Sequence, residues 1–165
     1  MERRLDDMTL ERSPVVANCA MNRERTLRSY GRELGIDVLT ELGGAWLDLC
    51  CGAGRALAEA AGQRPDARIT GVDLTGHFLP AARAVRLVTA SVAEWAPDEP
   101  YDLITCVHGL HYVGDKLRVL ARAARISLRG RREVRLPYRY LGADDQAGPN
   151  YTGQPAVDSF YAPIL

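Results

Sequence analysis

The sequence lacks any run of ~18 apolar residues, which excludes a membrane-spanning helix of ordinary length. Its charged N-terminus, MERRLDDMTLERSP, has no apolar stretch of the kind a secretory signal needs. Cysteine is sparse: Cys19, Cys50, Cys51 and Cys106 are the four, and none forms a C-x-x-C pair. With no secretory context they read as reduced, packed thiols of a cytoplasmic protein. Net charge is also missing, with 21 basic against 21 acidic side chains, so the surface as a whole is not that of a polyanion binder. There is no internal repeat.

What is present is an ordinary globular composition, 47% apolar and 25% charged over 165 residues, enough for one domain with one core. The neutral average hides a gradient. Residues 1–115 carry 12 basic and 17 acidic side chains, residues 116–139 carry 9 basic and one acid, and residues 140–165 carry three Asp and no base. Residues 1–21 have no sustained period and read as a loose N-terminal arm. Residues 22–141 read as the folded domain. Residues 142–165, with three Gly and three Pro, read as an irregular tail.

Within the domain the periodicity alternates. From Asn22, the positions Leu27, Tyr30, Leu34, Val38 and Leu42 recur three or four apart, predicting a helix that Gly35 weakens and Gly43-Gly44 ends. Ala45 to Cys50 is a short apolar strand, followed by the turn Gly52-Ala53-Gly54 and an Ala-rich helix from Arg55 to Ala61. Arg68–Asp73, Val85–Ala90 and Tyr101–Val107 read as further strands, and Gly76–Ala84 as a short helix delayed by Pro80. Lys116–Leu128 is an amphipathic helix, and Glu133–Leu141 a fifth strand whose Pro137 disfavours a central place. Strand and helix alternating in this way predict an α/β fold. The expected form is a doubly wound, mostly parallel sheet of about five strands in the order 3-2-1-4-5.

In such a sheet ligands bind beyond the carboxyl ends of the strands. The first strand ends in LDLCCGAGRAL, residues 47–57, where Gly52 and Gly54 allow a sharp turn and close backbone approach. The second ends at Asp73, a carboxylate placed to accept both hydroxyls of a ribose. A dinucleotide fingerprint G-x-G-x-x-G fails, because Leu57 stands at its third glycine. Asp48, beside the turn, would repel a pyrophosphate but suits a ligand with an amino group and a sulfonium, which is S-adenosylmethionine.

At these residues the chain resembles the class I S-adenosylmethionine-dependent methyltransferases. LDLCCGAG is similar to their first motif, (D or E)-x-G-x-G-x-G, with Asp48, Gly52 and Gly54 matching and Cys50 in place of the first glycine. ITGVDLT, residues 69–75, resembles the second motif. VTASVAEW, residues 88–95, resembles the third, with Ser91 where the family usually has Asp. Residues 101–130 resemble the fourth strand and following helix, without the usual L-x-P-G-G close.

The resemblance spans Asn22 to Leu128. It implies a Rossmann-like core and a methyl transfer to a small-molecule acceptor. Gly52 and Gly54 would pass the methionine moiety, with Asp48 near its amino group. Asp73 would hold the ribose, Leu74 would pack on the adenine, and Ser91 and Val92 would lie at the adenine edge. Cys106 and His108 would end the fourth strand beside the methyl group, with His108 as a general base. Tyr30 would lie over the cofactor.

His108 and His111 stand three apart with Asp115 beyond, but without further ligands at suitable spacing no metal is expected. Arg118, Arg122, Arg125 and Arg129 share one face of the helix opposite Leu117, Leu120, Ala121, Ala124 and Leu128. This stripe reads as a solvated outer face. The alternative, a phosphate-tracking surface extended by Arg131, Arg132, Arg135 and Arg139, would make the chain a nucleic-acid methyltransferase. The family's core has seven strands, and here the chain stops about 25 residues after the fifth candidate. The expectation is a shortened or frame-shifted methyltransferase, inactive or rescued by dimerisation through the exposed sheet edge.

Overall fold

The computed structural model describes residues 25–80, 85–97, 99–127 and 133–135. In chain order the elements are α1 (Leu27–Leu34), α2 (Val38–Glu41), β1 (Ala45–Leu49), α3 (Arg55–Gln63), β2 (Arg68–Asp73), β3 (Val85–Thr89) and β4 (Leu103–Thr105). A single 3-10 turn (Leu110–Tyr112), α4 (Lys116–Ser127) and β5 (Glu133–Arg135) follow. The five strands form one sheet in the order β3-β2-β1-β4-β5, every pair parallel, as the alternating pattern predicts. The predicted arm and tail, and the end of the fifth strand, residues 136–141, lie outside the described residues.

β1 is central and all five of its residues are buried, because parallel strands are covered on both faces and need apolar side chains on each. Alternation sorts these side chains. Trp46, Ile69 and Leu103 pack with Tyr30, Leu34, Leu57 and Ala60 from α1 and α3 on one face. Leu47, Val72 and Ile104 pack with Val119 and Ala123 from α4 on the other. The register sets Trp46 opposite Leu103 and Asp48 opposite Thr105, so Asp48 and Thr105 share the α1 face with Trp46.

Three sequence expectations are corrected. The helix predicted from Asn22 to Leu42 starts at Leu27 and is broken in two. Thr26 caps α1 by accepting from the Ser29 N–H, and Gly35 ends it in the left-handed region at φ 69°, where a Cβ would be strained. Asp37 then caps α2 through the N–H groups of Leu39 and Thr40.

The helix predicted over Gly76–Ala84 does not form in its described part. Gly76–Pro80 is irregular, and Gly76 at φ 64° turns the chain so tightly that a Cβ would stand 2.5 Å from Thr89 Oγ1.

The apolar face of α4 is rotated from the one predicted. Val119 and Ala123 are buried, Leu120 and Ile126 pack beside them, and Leu117 is 78% exposed. Within the arginine stripe, Arg122 is only partly exposed: its guanidinium donates to the carbonyls of Ala93, Glu94 and Trp95, pinning α4 to the turn after β3.

Candidate functional site

The site is built at the carboxyl ends of β1, β2 and β4. After β1 the chain must reverse within a few residues to enter α3. It does so through three residues in the left-handed region: Cys50 at φ 60°, Gly52 at φ 59° and Gly54 at φ 76°. For the two glycines this costs nothing sterically. Cys50 holds the conformation of the glycine it replaces, a strained state for a side chain, of order 1–3 kcal/mol. Its side chain packs at the edge of the second core cluster, which contains Cys106, and leaves no room beside Gly109. A Cβ at Gly109 would stand 2.5 Å from Cys50 Cβ.

Asp73 closes the turn from β2. Its Oδ2 accepts from the Gly52 N–H at 2.8 Å. Its Oδ1 accepts from the Thr75 N–H at 3.0 Å and the Thr75 hydroxyl at 2.9 Å. The glycine turn and the strand-end acid are therefore one hydrogen-bonded unit. The Leu79 N–H donates to Ala53 O at 2.9 Å and ties the segment after β2 to the same turn.

Asp48 lies beneath that turn with no solvent contact. Tyr30 Oη donates to its Oδ2 at 2.7 Å and Thr105 Oγ1 donates to its Oδ1 at 2.5 Å. Thr105 in turn accepts from Trp46 Nε1 at 2.9 Å. Burial disfavours the charged carboxylate and pushes the Asp48 carboxyl up to about 7, against the opposing pull of the Thr105 and Tyr30 hydrogen bonds and the Arg25 charge. The Tyr30 phenol is pushed well above its ordinary range by burial and by the neighbouring Asp48. Arg25 reaches the turn directly, its Nη1 donating to Cys50 O at 3.0 Å.

The end of β4 supplies the remaining predicted residues. Cys106 is buried, and its Sγ contacts His108 O at 3.7 Å. Its thiol is raised by the adjacent Cys50 side chain and by burial. His108 is half-buried, and its Nε2 lies 3.1 Å from Glu33 Oε1 on α1.

Leu74 is partly exposed directly after Asp73. Ser91 Oγ accepts from the Ala93 N–H at 3.2 Å, so it stabilises its own turn. Val92 is 8% exposed and belongs to the second core cluster.

The structure thus brings Tyr30, Asp48, Gly52, Gly54 and Asp73 together around one turn. Arg25, Glu33, Thr75 and Thr105 also belong to the site and were not singled out from sequence. Thr75 had a local signal, since an Asp two residues before a Thr favours a side-chain turn. Arg25, Glu33 and Thr105 act on partners 25, 75 and 57 positions away, beyond any local pattern.

A parallel sheet of this order, with a glycine turn after β1 held by an acid at the end of β2, defines a doubly wound α/β domain whose crevice lies beyond the carboxyl ends of the strands. Residues 47–130, just over half the chain, match the family described as a methyltransferase domain, and the chain belongs to that family.

Among curated proteins it is similar to a trans-aconitate 2-methyltransferase of Paracidovorax citrulli (strain AAC00-1), 35% identical over 82 residues. The match covers 46% of this chain and 32% of that protein. Among solved structures, the plantazolicin methyltransferase BpumL in complex with a pentazolic desmethylPZN analog and SAH aligns at TM-score 0.58 and 16% identity, over 73% of this chain and 52% of that one. Coclaurine N-methyltransferase bound to N-methylheliamine and SAH aligns at TM-score 0.57 and 16% identity, over 79% and 47%. These likenesses establish the fold. The chain spans about a third of the length of its curated relative and about half of its structural ones.

Proposed function

We propose that this chain binds S-adenosylmethionine at the Gly52–Gly54 turn and transfers its methyl group to a small-molecule acceptor. The observation that carries the reading is the bond from the Gly52 N–H to Asp73 Oδ2, which fixes a ribose-type acid against a glycine turn. The curated relative is named for a small acid, trans-aconitate, which supports an acceptor of similar scale.

The donor chemistry fits. An ionised carboxylate has about four lone-pair sites. Asp73 accepts three donors from its own chain, two of them from Thr75. One ribose hydroxyl has a place, and a second gains one when the Thr75 hydroxyl turns away. Gly52 and Gly54 flank the methionine moiety, and Leu74, Ser91 and Val92 border the adenine. Asp48 acts from below the turn: with Tyr30 and Thr105 on its two oxygens it orders the floor of the site rather than meeting the ligand directly. When bound, the cofactor supplies an activated methyl group on a sulfonium. The protein's part is to orient the acceptor, exclude water and receive a proton. Cys106 and His108, at the end of β4, face that task, and His108 is the general base.

Calorimetric titration with S-adenosylmethionine tests the reading. We expect binding by the wild-type chain and at least a tenfold loss in Asp73→Asn with circular dichroism unchanged. No binding by a folded wild-type chain overturns it.

A further inference from the structure

We infer that Cys50 and Cys106 are a thiol pair that a hydroperoxide closes into a disulfide, fastening the glycine turn to the end of β4 and weakening the cofactor site. The oxidation site stands on the two cysteines alone, and its effect on the ligand rests on the methyltransferase reading above.

The sheet brings the pair together. β1 and β4 are parallel neighbours with Asp48 opposite Thr105, and the chain runs on from these positions to Cys50 and Cys106. Neighbouring strands lie about 4.8 Å apart, inside the Cα separation of about 4.4–6.8 Å that a disulfide spans. Cys50 and Cys106 pack in the same core cluster, that of Leu47 and Ile104. Their side chains are hydrogen-bonding neighbours, which together with burial raises the Cys106 thiol. The segment after β4 wraps the pair: Cys106 Sγ meets His108 O at 3.7 Å, and a Cβ at Gly109 would stand 2.8 Å from Cys50 Sγ. Cys51 belongs to the other core cluster, where a Cβ at Gly71 would stand 2.7 Å from its Sγ. The bond therefore forms across the sheet rather than between the two adjacent cysteines.

Exposure orders the chemistry. Cys50 is partly exposed, whereas Cys51 and Cys106 are buried, so an oxidant reaches Cys50 first. The Cys50 sulfur attacks one peroxide oxygen, the O–O bond breaks, and the thiol proton leaves with the other oxygen as an alcohol, or as water from hydrogen peroxide. The Cys106 sulfur then attacks the resulting sulfenic acid: the S–S bond forms, the S–O bond breaks, and the hydroxide leaves as water with the Cys106 proton. The two thiols are oxidised and the peroxide is reduced. An S–S bond of about 2.0 Å is shorter than any non-bonded sulfur contact, so closure draws Cys50 toward β4. The next two N–H groups hold the turn to β2, Cys51 to Val72 O at 3.0 Å and Gly52 to Asp73 Oδ2 at 2.8 Å. A pull on Cys50 thus reaches the Gly52–Asp73 bond on which the proposed cofactor site is built.

Hydrogen peroxide added to the full-length chain, read by intact mass and peptide mapping, tests the site without any cofactor. The wild type should lose two hydrogens, join the peptide holding Cys50 to the one holding Cys106, and be restored by dithiothreitol. The link should persist in Cys51→Ser and vanish in Cys50→Gly, which is at ease in the left-handed backbone. In Cys106→Ser the sulfenic acid at Cys50 should persist and be trapped by dimedone. Free thiols at both positions in the treated wild type, or a link to Cys19 or between two chains in their place, overturns the inference.

Calorimetry with S-adenosylhomocysteine reads the consequence. The reduced wild type should bind, and oxidation should weaken that binding about tenfold. Cys50→Gly should bind alike before and after treatment. Equal affinity of the reduced and oxidised wild type overturns the effect on the site. Failure of the reduced chain to bind overturns the cofactor reading, while the mass measurement still decides the disulfide.

Discussion

Tyr30 Oη donates to Asp48 Oδ2 over 2.7 Å, and at 1% and 0% exposure neither residue meets solvent. The bond joins α1 to the central strand directly beneath the glycine turn. It also gives a hydroxyl to a carboxyl that titrates at about 7.

That titration sets a pH dependence of stability. An aspartate in an unfolded chain ionises near ~4. From there to about 7 the folded state holds a proton that the unfolded state lacks, so stability falls as pH rises and levels off above that value. The slope in mid-window is roughly 1 kcal/mol per pH unit. Urea midpoints at intervals from pH 5 to pH 8 should decline in the wild type and decline less in Asp48→Asn, which has no proton to lose. Equal slopes would remove Asp48 as the cause.

Tyr30→Phe isolates the hydroxyl. The edge-on contact of the ring with Trp46, centroids 6.1 Å apart, survives the change. Asp48 Oδ2 then loses its donor in a buried site, at a cost of about 1–3 kcal/mol. Because the Tyr30 bond pulls the Asp48 carboxyl down, its removal should also carry the pH-dependent decline to higher pH. Denaturant unfolding at two pH values checks both effects.

Gly71→Ala should destabilise through overpacking. Gly71 lies in β2 beside the turn, and a Cβ there would stand 2.7 Å from both Cys51 Sγ and Leu57 Cδ2. Relief requires the buried Cys51 and Leu57 side chains to shift within a packed core, so we expect a loss of about 1–3 kcal/mol. We also expect a weaker affinity for S-adenosylhomocysteine. An unchanged melting temperature would show that this wall of the turn yields easily.

Arg122→Lys tests the attachment of α4. One guanidinium serves three carbonyls, Ala93, Glu94 and Trp95. An ammonium is a point charge without the planar fork and cannot span them. A loss of about 1–3 kcal/mol is expected for Arg122→Lys, against a change within about 0.5 kcal/mol for Arg125→Lys on the exposed side of the helix. Equal effects at the two positions would return Arg122 to the solvated stripe.

The strands were legible in the sequence because a parallel sheet demands continuous apolar runs, and here glycine and proline separate them. The turn residues and Asp73 were legible because the backbone itself requires glycine at Gly52 and Gly54. Cys50 was read as a substitution in the motif, but its left-handed backbone was not, since nothing local reveals that neighbours hold a cysteine in a glycine's conformation.

The buried face of α4 lies about one position from the one the periodicity predicts. Leu117 fits an apolar stripe as well as Val119 does, and only the placement of the sheet decides between them. No motif or period in the sequence points to Glu33 or Arg25. Their roles come from contacts across 75 and 25 positions that exist only once the strands are assembled.

α1 ends abruptly at Gly35 and begins on a bond from the Leu27 N–H to Glu59 Oε2 at 2.9 Å. Between those two points it is one helix carrying Tyr30 and Glu33 a single turn apart. A displacement of the whole helix away from the sheet would strain the contacts with Asp48 and His108 together. The floor of the site and the end of β4 are thus tethered to the same short element, and hydrogen exchange along α1 would read how firmly both are held.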